Sequence, residues 1–200
     1  MDYEMADWSI FITGKEEDGK NNLQVAALTW LGHEYGIFPD YTPSLYIDGE
    51  PVPLEFTGWS DIVSYEGSFH KPAYSDVQVT LIANAEVLLD TSLKLVDTID
   101  SFTIINPGSS DDSITLTWSV EHNSPYQMIE LVPNNPCSHL YRYEYIAPTS
   151  REYALALSTL AELTPGTGVG FFLRQFNFTL QNRIALWSHS FGHRHLVPFP

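Results

Sequence analysis

The feature that most constrains this chain is strict alternation of apolar and polar residues in short runs. Ile114-Thr115-Leu116-Thr117-Trp118-Ser119-Val120 puts four large apolar side chains on one face and small polar ones on the other. Val77-Gln78-Val79-Thr80-Leu81-Ile82 repeats the pattern. A period of two is the mark of a half-buried β-strand. No run carries a sustained 3.6-residue repeat of helix length, and only Ser158 to Leu163 reads as a short helical turn. Turn formers punctuate the strands: Asp48-Gly49, Asn84-Ala85 and the run Asn106 to Asp112. Such a chain cannot become a bundle or a doubly wound α/β fold; it must stack sheets.

The strands read in order. Trp8–Thr13 and Leu23–Leu31 pair as a hairpin around Glu16-Glu17-Asp18-Gly19. Ser44–Ile47 turns at Asp48-Gly49, and the prolines of Val52-Pro53-Leu54-Glu55-Phe56 suit an edge strand, because proline has no N–H to donate. Val77–Ile82 and Val87–Leu95 follow. After the polar link Asp97-Thr98-Ile99-Asp100 come Phe102–Ile105, Ile114–Val120, Tyr126–Val132, Leu140–Ile146, Tyr153–Leu157, Val169–Leu180 and Arg183–His189.

Charge divides the chain at the same link. Residues 1–98 hold 17 acids and 4 lysines, residues 99–200 hold 8 acids and 5 arginines, and the net charge is −16. The expectation is an all-β protein of two tandem β-sandwich domains, residues 1–98 and 99–200. So acidic a chain repels phosphates, which excludes nucleic acid as a partner, and it disfavours anionic membrane surfaces. No stretch reaches membrane-helix length. The acidic start Met1-Asp2-Tyr3-Glu4 is unlike a signal peptide. The chain is therefore expected to be cytoplasmic or to begin after a removed leader, with a membrane reached only through an N-terminal anchor outside it.

The second half resembles a fibronectin type III domain. Ser113–Trp118 matches that family's early core strand with its buried tryptophan, Tyr126–Leu131 its next strand, and Leu163-Thr164-Pro165-Gly166-Thr167 its Leu-x-Pro-Gly-Thr corner. Where the family carries a tyrosine two residues after the threonine, this chain has Val169. The first half resembles the Ig-like or transthyretin-like modules of bacterial envelope lipoproteins, through Tyr46–Val52, Tyr65–Phe69, Val77–Ile82 and Leu88–Leu95 in that order. Neither resemblance brings catalytic residues or a cofactor. It implies a non-catalytic, extracytoplasmic structural or binding module of the cell envelope. A carbohydrate-binding accessory module is the alternative, and a hydrolase ranks third.

Candidate chemistry is sparse. Cys137 is the single cysteine; it allows no internal disulfide and, with only His139 nearby in sequence, lacks an orienting third group for nucleophilic work. His189, His193 and His195 have even spacing that would put them on one strand face, but Gly192 is expected to break the strand, so no metal site is assigned. Asp111-Asp112 and Glu16-Glu17-Asp18 lack the ligand spacing of a calcium loop. Gly166-Thr167-Gly168-Val169-Gly170 lacks the lysine of a phosphate loop. No Gly-x-Ser-x-Gly elbow occurs. The aromatics of the first half, Trp30, Tyr35, Phe38, Tyr41, Trp59, Tyr65, Phe69 and Tyr74, are expected foremost to close the open end of the sandwich as core; they are also the best binding candidates in the chain, with Tyr35, Tyr41 and Trp59 as the candidate residues for a protein or glycan surface.

Overall fold

A computed structural model describes residues 8–13, 21–27, 43–57, 63–83, 85–105, 113–133, 142–160 and 168–196. Fifteen strands and one short helix appear in it. They are β1 (Trp8–Thr13), β2 (Asn21–Ala27), β3 (Ser44–Ile47), β4 (Glu50–Val52), β5 (Glu55–Phe56), β6 (Val63–Phe69), β7 (Asp76–Ala83) and β8 (Glu86–Lys94). Then come β9 (Ser101–Ile105), β10 (Ser113–Ser119), β11 (Tyr126–Pro133), β12 (Arg142–Ile146), β13 (Glu152–Ala156), α1 (Leu157–Leu160), β14 (Val169–Gln181) and β15 (Ile184–Leu196). The protein is all-β, as the alternation requires.

The chain forms two compact units. The first holds residues 1–96 with 177–189, the second 97–176 with 190–200. Residues 177–189 lie on the C-terminal side of the link at 97–100 and yet cluster with the first unit.

In the first unit β1 runs antiparallel to β2 and parallel to β15, with Trp8 opposite Ile184 and Thr13 opposite His189. β6 and then β5 extend that sheet. The second sheet has the order β4-β3-β7-β8. The core between them comes from Ile10 and Ile12 of β1, Leu45 and Ile47 of β3, Val77, Val79 and Leu81 of β7, Leu89 and Leu93 of β8, and Ile184 and Leu186 of β15. Every second residue of β7 is buried, as its sequence demands. The β3–β4 turn uses Asp48 and Gly49, both at positive φ (52° and 81°), the geometry a two-residue hairpin needs. The proline-bearing segment falls at edges as expected: β4 ends one sheet and β5 the other.

In the second unit the sheets are β13-β10-β9 and β12-β11-β14-β15. Labelled A to G along the chain, with β12 as C′, this is an A-B-E sheet facing a C′-C-F-G sheet, an Ig-like sandwich arrangement. Its core is Phe102, Ile114, Leu116, Trp118, Ile129, Leu131, Leu155, Val169, Phe171 and Leu173. Trp118 is buried here, and Val169, which replaces the corner tyrosine, is a core residue. The corner itself, Leu163–Thr167, lies outside the described residues.

One expectation fails. β15 is continuous from Ile184 to Leu196, so Gly192 does not break it. A Cβ at Gly192 would stand 2.9 Å from Cβ of Phe102. The glycine is there for close packing against β9, which an extended strand accommodates without any bend.

Candidate functional site

β12 is an edge strand of its sheet. It pairs with β11 from Gln127 opposite Ile146 to Leu131 opposite Arg142. Residues Arg142 to Tyr145 are all exposed, so burial does little to hold the strand. Backbone pairing with β11, the core contact of Ile146 and two polar ties do that instead.

The first tie starts in the core. Gln127 and Gln175 are completely buried. Gln127 Oε1 accepts from Trp118 Nε1 at 3.0 Å and from Gln175 Nε2 at 2.9 Å. Gln127 Nε2 donates to the carbonyl oxygens of Ala147, at 2.9 Å, and of Pro148. The amide thus links the family-like tryptophan to the turn that closes β12. The second tie is Tyr153 of β13, whose hydroxyl donates to Glu144 Oε2 at 2.5 Å. Burial of the phenol, followed by the bond to the Glu144 carboxylate, pushes the Tyr153 hydroxyl up to about 12.

With Gln127, Ile129 and Leu131 facing inward, pleating turns Tyr126, Met128 and Glu130 outward. Their cross-strand partners are Tyr145 opposite Met128 and Tyr143 opposite Glu130 on β12, and Phe176, Arg174 and Phe172 opposite Tyr126, Met128 and Glu130 on β14. The outer face is therefore aromatic. Tyr126 stacks on Phe176 (5.3 Å, 17°), Tyr145 meets Phe176 edge-on (6.2 Å, 62°), and Tyr143 stands perpendicular to Tyr145 (6.2 Å, 86°). Phe172 stacks on His193 at 4.4 Å. Amid these rings Arg174 Nε pairs with Glu130 Oε2 at 2.9 Å, the Glu130 side chain being buried and that of Arg174 partly exposed.

The tyrosines are 41% (Tyr126), 60% (Tyr143) and 56% (Tyr145) exposed, while Phe176 beneath them is buried. Ring contacts that fix Tyr126 and Tyr145 over Phe176 reduce the rotamer entropy lost when a partner docks. Tyrosine gives large contact area with few rotors and a polar tip. This arrangement can bind; it contains no paired nucleophile and base.

The residues expected from sequence fall elsewhere. Tyr35, Tyr41 and Trp59 lie outside the described residues, as do Trp30, Phe38, Cys137, His139, Glu16-Glu17-Asp18 and Asp111-Asp112. Of the remaining aromatics of that group, Tyr65 is buried and meets Phe56 edge-on, Phe69 packs on the core, and Tyr74 carries Lys94 Nζ 4.1 Å above its ring. His189 sits 3.3 Å (Nε2) from Thr13 Oγ1, with its ring edge-on to Phe11. His193 belongs to the outer face through Phe172, and His195 lies near the end of β15. The tyrosine face escaped the sequence reading, yet its signal was present: β11 and β14 carry large apolar residues on both sides of the pleat, in a sandwich where only one side needs them.

No protein-family model matches this sequence, and no curated protein matches it. Among solved structures, one described as a cytokine receptor complex superposes with a TM-score of 0.42 at 10% identity, over 84% of this chain and 89% of that one. A two-domain fibronectin type III segment of chicken tenascin superposes with a TM-score of 0.37 at 10% identity, over 90% of this chain and 92% of that one. Likenesses this distant carry no function. The β-sandwich stands on the strand order and the cores described above.

Proposed function

We propose that this chain is a non-catalytic binding module, and that it engages a protein partner through Tyr126, Tyr143 and Tyr145 on the outer sheet face of its second unit. The observation that carries this reading is the set of exposed tyrosines, with Tyr126 and Tyr145 held over a buried Phe176 and Tyr143 set against Tyr145. Interface energy concentrates in such aromatic anchors. Sugar rings also stack on exposed tyrosines, which keeps a glycan as the second reading; the perpendicular setting of Tyr143 and Tyr145 offers a protein ridge more readily than a flat sugar platform. An extracytoplasmic place in a bacterial envelope belongs to the same proposal and rests on the sequence resemblance alone. The two-part division of the chain belongs to it too; it rests on the charge shift and the polar link near residue 98, with residues 177–189 grouped with the first part.

The test is binding by the full chain and by its Tyr143→Ser/Tyr145→Ser variant. A protein partner recovered by the full chain should bind the variant at least about 30-fold more weakly, the loss typical of a hot-spot pair worth about 2 kcal/mol. Unchanged affinity, or retention of glycans and of no protein, overturns the reading.

A further inference from the structure

We propose that Asp97, Glu121 and His122 form a binding site for one divalent transition-metal cation, with zinc the best fit. One ligand atom from each residue lies within 4.8 Å of the other two. The sequence hides this grouping, since a whole hairpin separates Asp97 from the Glu121-His122 pair. Topology brings them together. Asp97 stands in the segment leading into β9, and Glu121 and His122 follow β10. β9 and β10 are antiparallel neighbours with Ser101 opposite Ser119, and the Asp100 amide donates to the Ser119 carbonyl at 3.0 Å. Both segments therefore meet at one end of the same sheet.

Asp97 is the anchor. Its side chain is only 8% exposed. Oδ1 accepts the Thr98 amide at 2.9 Å, and Oδ2 accepts the His122 amide at 3.1 Å. Its carbonyl accepts the Ser190 hydroxyl at 2.6 Å. The carboxylate is thus oriented by backbone N–H groups, as a metal ligand is by its outer shell. Its side-chain partner is the His122 imidazole, with Nδ1 3.0 Å from Oδ2, and among the described residues neither lysine nor arginine is paired with it. A second carboxylate, Glu121, converges on this buried one. Two carboxylates and an imidazole thus present three metal-ligating atoms to one point at the end of the sheet.

The donor set selects the metal. Imidazole nitrogen with two carboxylate oxygens suits zinc and its transition-metal neighbours, whereas calcium wants six to eight oxygens. Tetrahedral zinc, with bonds of about 2.0–2.1 Å, sets adjacent ligand atoms about 3.3 Å apart; the 3.0 Å between Nδ1 and Oδ2 is already near that. Three protein ligands leave the fourth position to water. On binding, the proton between Nδ1 and Oδ2 moves to Nε2 or to solvent, and both atoms turn their lone pairs to the metal.

The experiment is a Co2+ titration of the full chain, followed by d–d absorption, with Zn2+ competition. We expect one saturable site, displaced by Zn2+ and not by Ca2+ or Mg2+, lost in His122→Ala and weakened about 10-fold or more in Glu121→Gln. Glu121 is exposed, so Glu121→Gln should keep the wild-type urea midpoint without metal; His122→Ala also removes the imidazole facing the buried Asp97 carboxylate, so its fold is checked by circular dichroism before titration. Failure to saturate, or a signal that survives His122→Ala, overturns the site; the second result would move the metal to other histidines.

Discussion

Single side chains hold the second unit in register, and Gln127 has the largest part. Its amide joins Trp118, Gln175 and the turn after β12. Gln127→Leu keeps the shape but strands two buried donors, each costing about 1–3 kcal/mol. Urea unfolding should show a loss of about 3 kcal/mol or more; a loss below about 1 kcal/mol would mean the network is dispensable. Tyr153 supplies a second check. Its hydroxyl is raised to about 12, so the stability it contributes is full below pH 10 and is lost as pH rises through its folded value. In an ultraviolet titration a tyrosine that ionises near pH 12 should vanish in Tyr153→Phe. Asp48 has the opposite sign. The hydrogen bond from Lys71, with Nζ 2.5 Å from Oδ2, and then the Gln78 amide hold its carboxyl below 3.8. Its stabilisation is present above that value and is lost as pH falls through the lowered one. Asp48→Asn, which keeps a turn-forming residue at φ 52°, should flatten that part of the acid unfolding curve.

At the scale of strands, packing decides where the alternation leaves a choice. Gly192 lies in an unbroken strand because Phe102 of β9 occupies the space a side chain would need. Gly192→Ala should therefore destabilise by about 1–3 kcal/mol through overpacking, measured as a shift in urea midpoint. Strands buried on one side, such as β7 and β10, are legible in the sequence because period-two burial writes itself as period-two hydropathy. The Asp48-Gly49 turn is legible because few residues tolerate positive φ. β12 is less so: most of its residues are exposed, and its side-chain ties, to Gln127 through the following turn and to Tyr153, come from residues distant in sequence. The tyrosine face was missed for the same reason. Tyr126, Tyr143 and Tyr145 become neighbours only through the β11–β12 and β11–β14 registers, which no local pattern specifies. The Asp97, Glu121 and His122 grouping likewise depends on the β9–β10 pairing.

At the scale of the molecule, the chain order and the spatial units part company over residues 177–189. Ile184 and Leu186 complete the first unit's core, and β15 is the parallel neighbour of β1. A fragment ending at residue 98 lacks both, and it should show no cooperative unfolding transition, whereas the full chain should; a cooperative fragment would mean that β1 and its sheet close without β15. The central claim is that the outer face of the second unit's sheet is where a partner binds. Site-specific photo-crosslinking tests it most directly, with the reactive group at position 145 and, as a control, at position 87 on β8, where Val87 is equally exposed at 55%. In native extract, position 145 should yield one discrete protein adduct that is absent in a Tyr126→Ser/Tyr143→Ser background, and position 87 should yield none. An adduct from position 87 alone, or equal adducts from both positions, would contradict it.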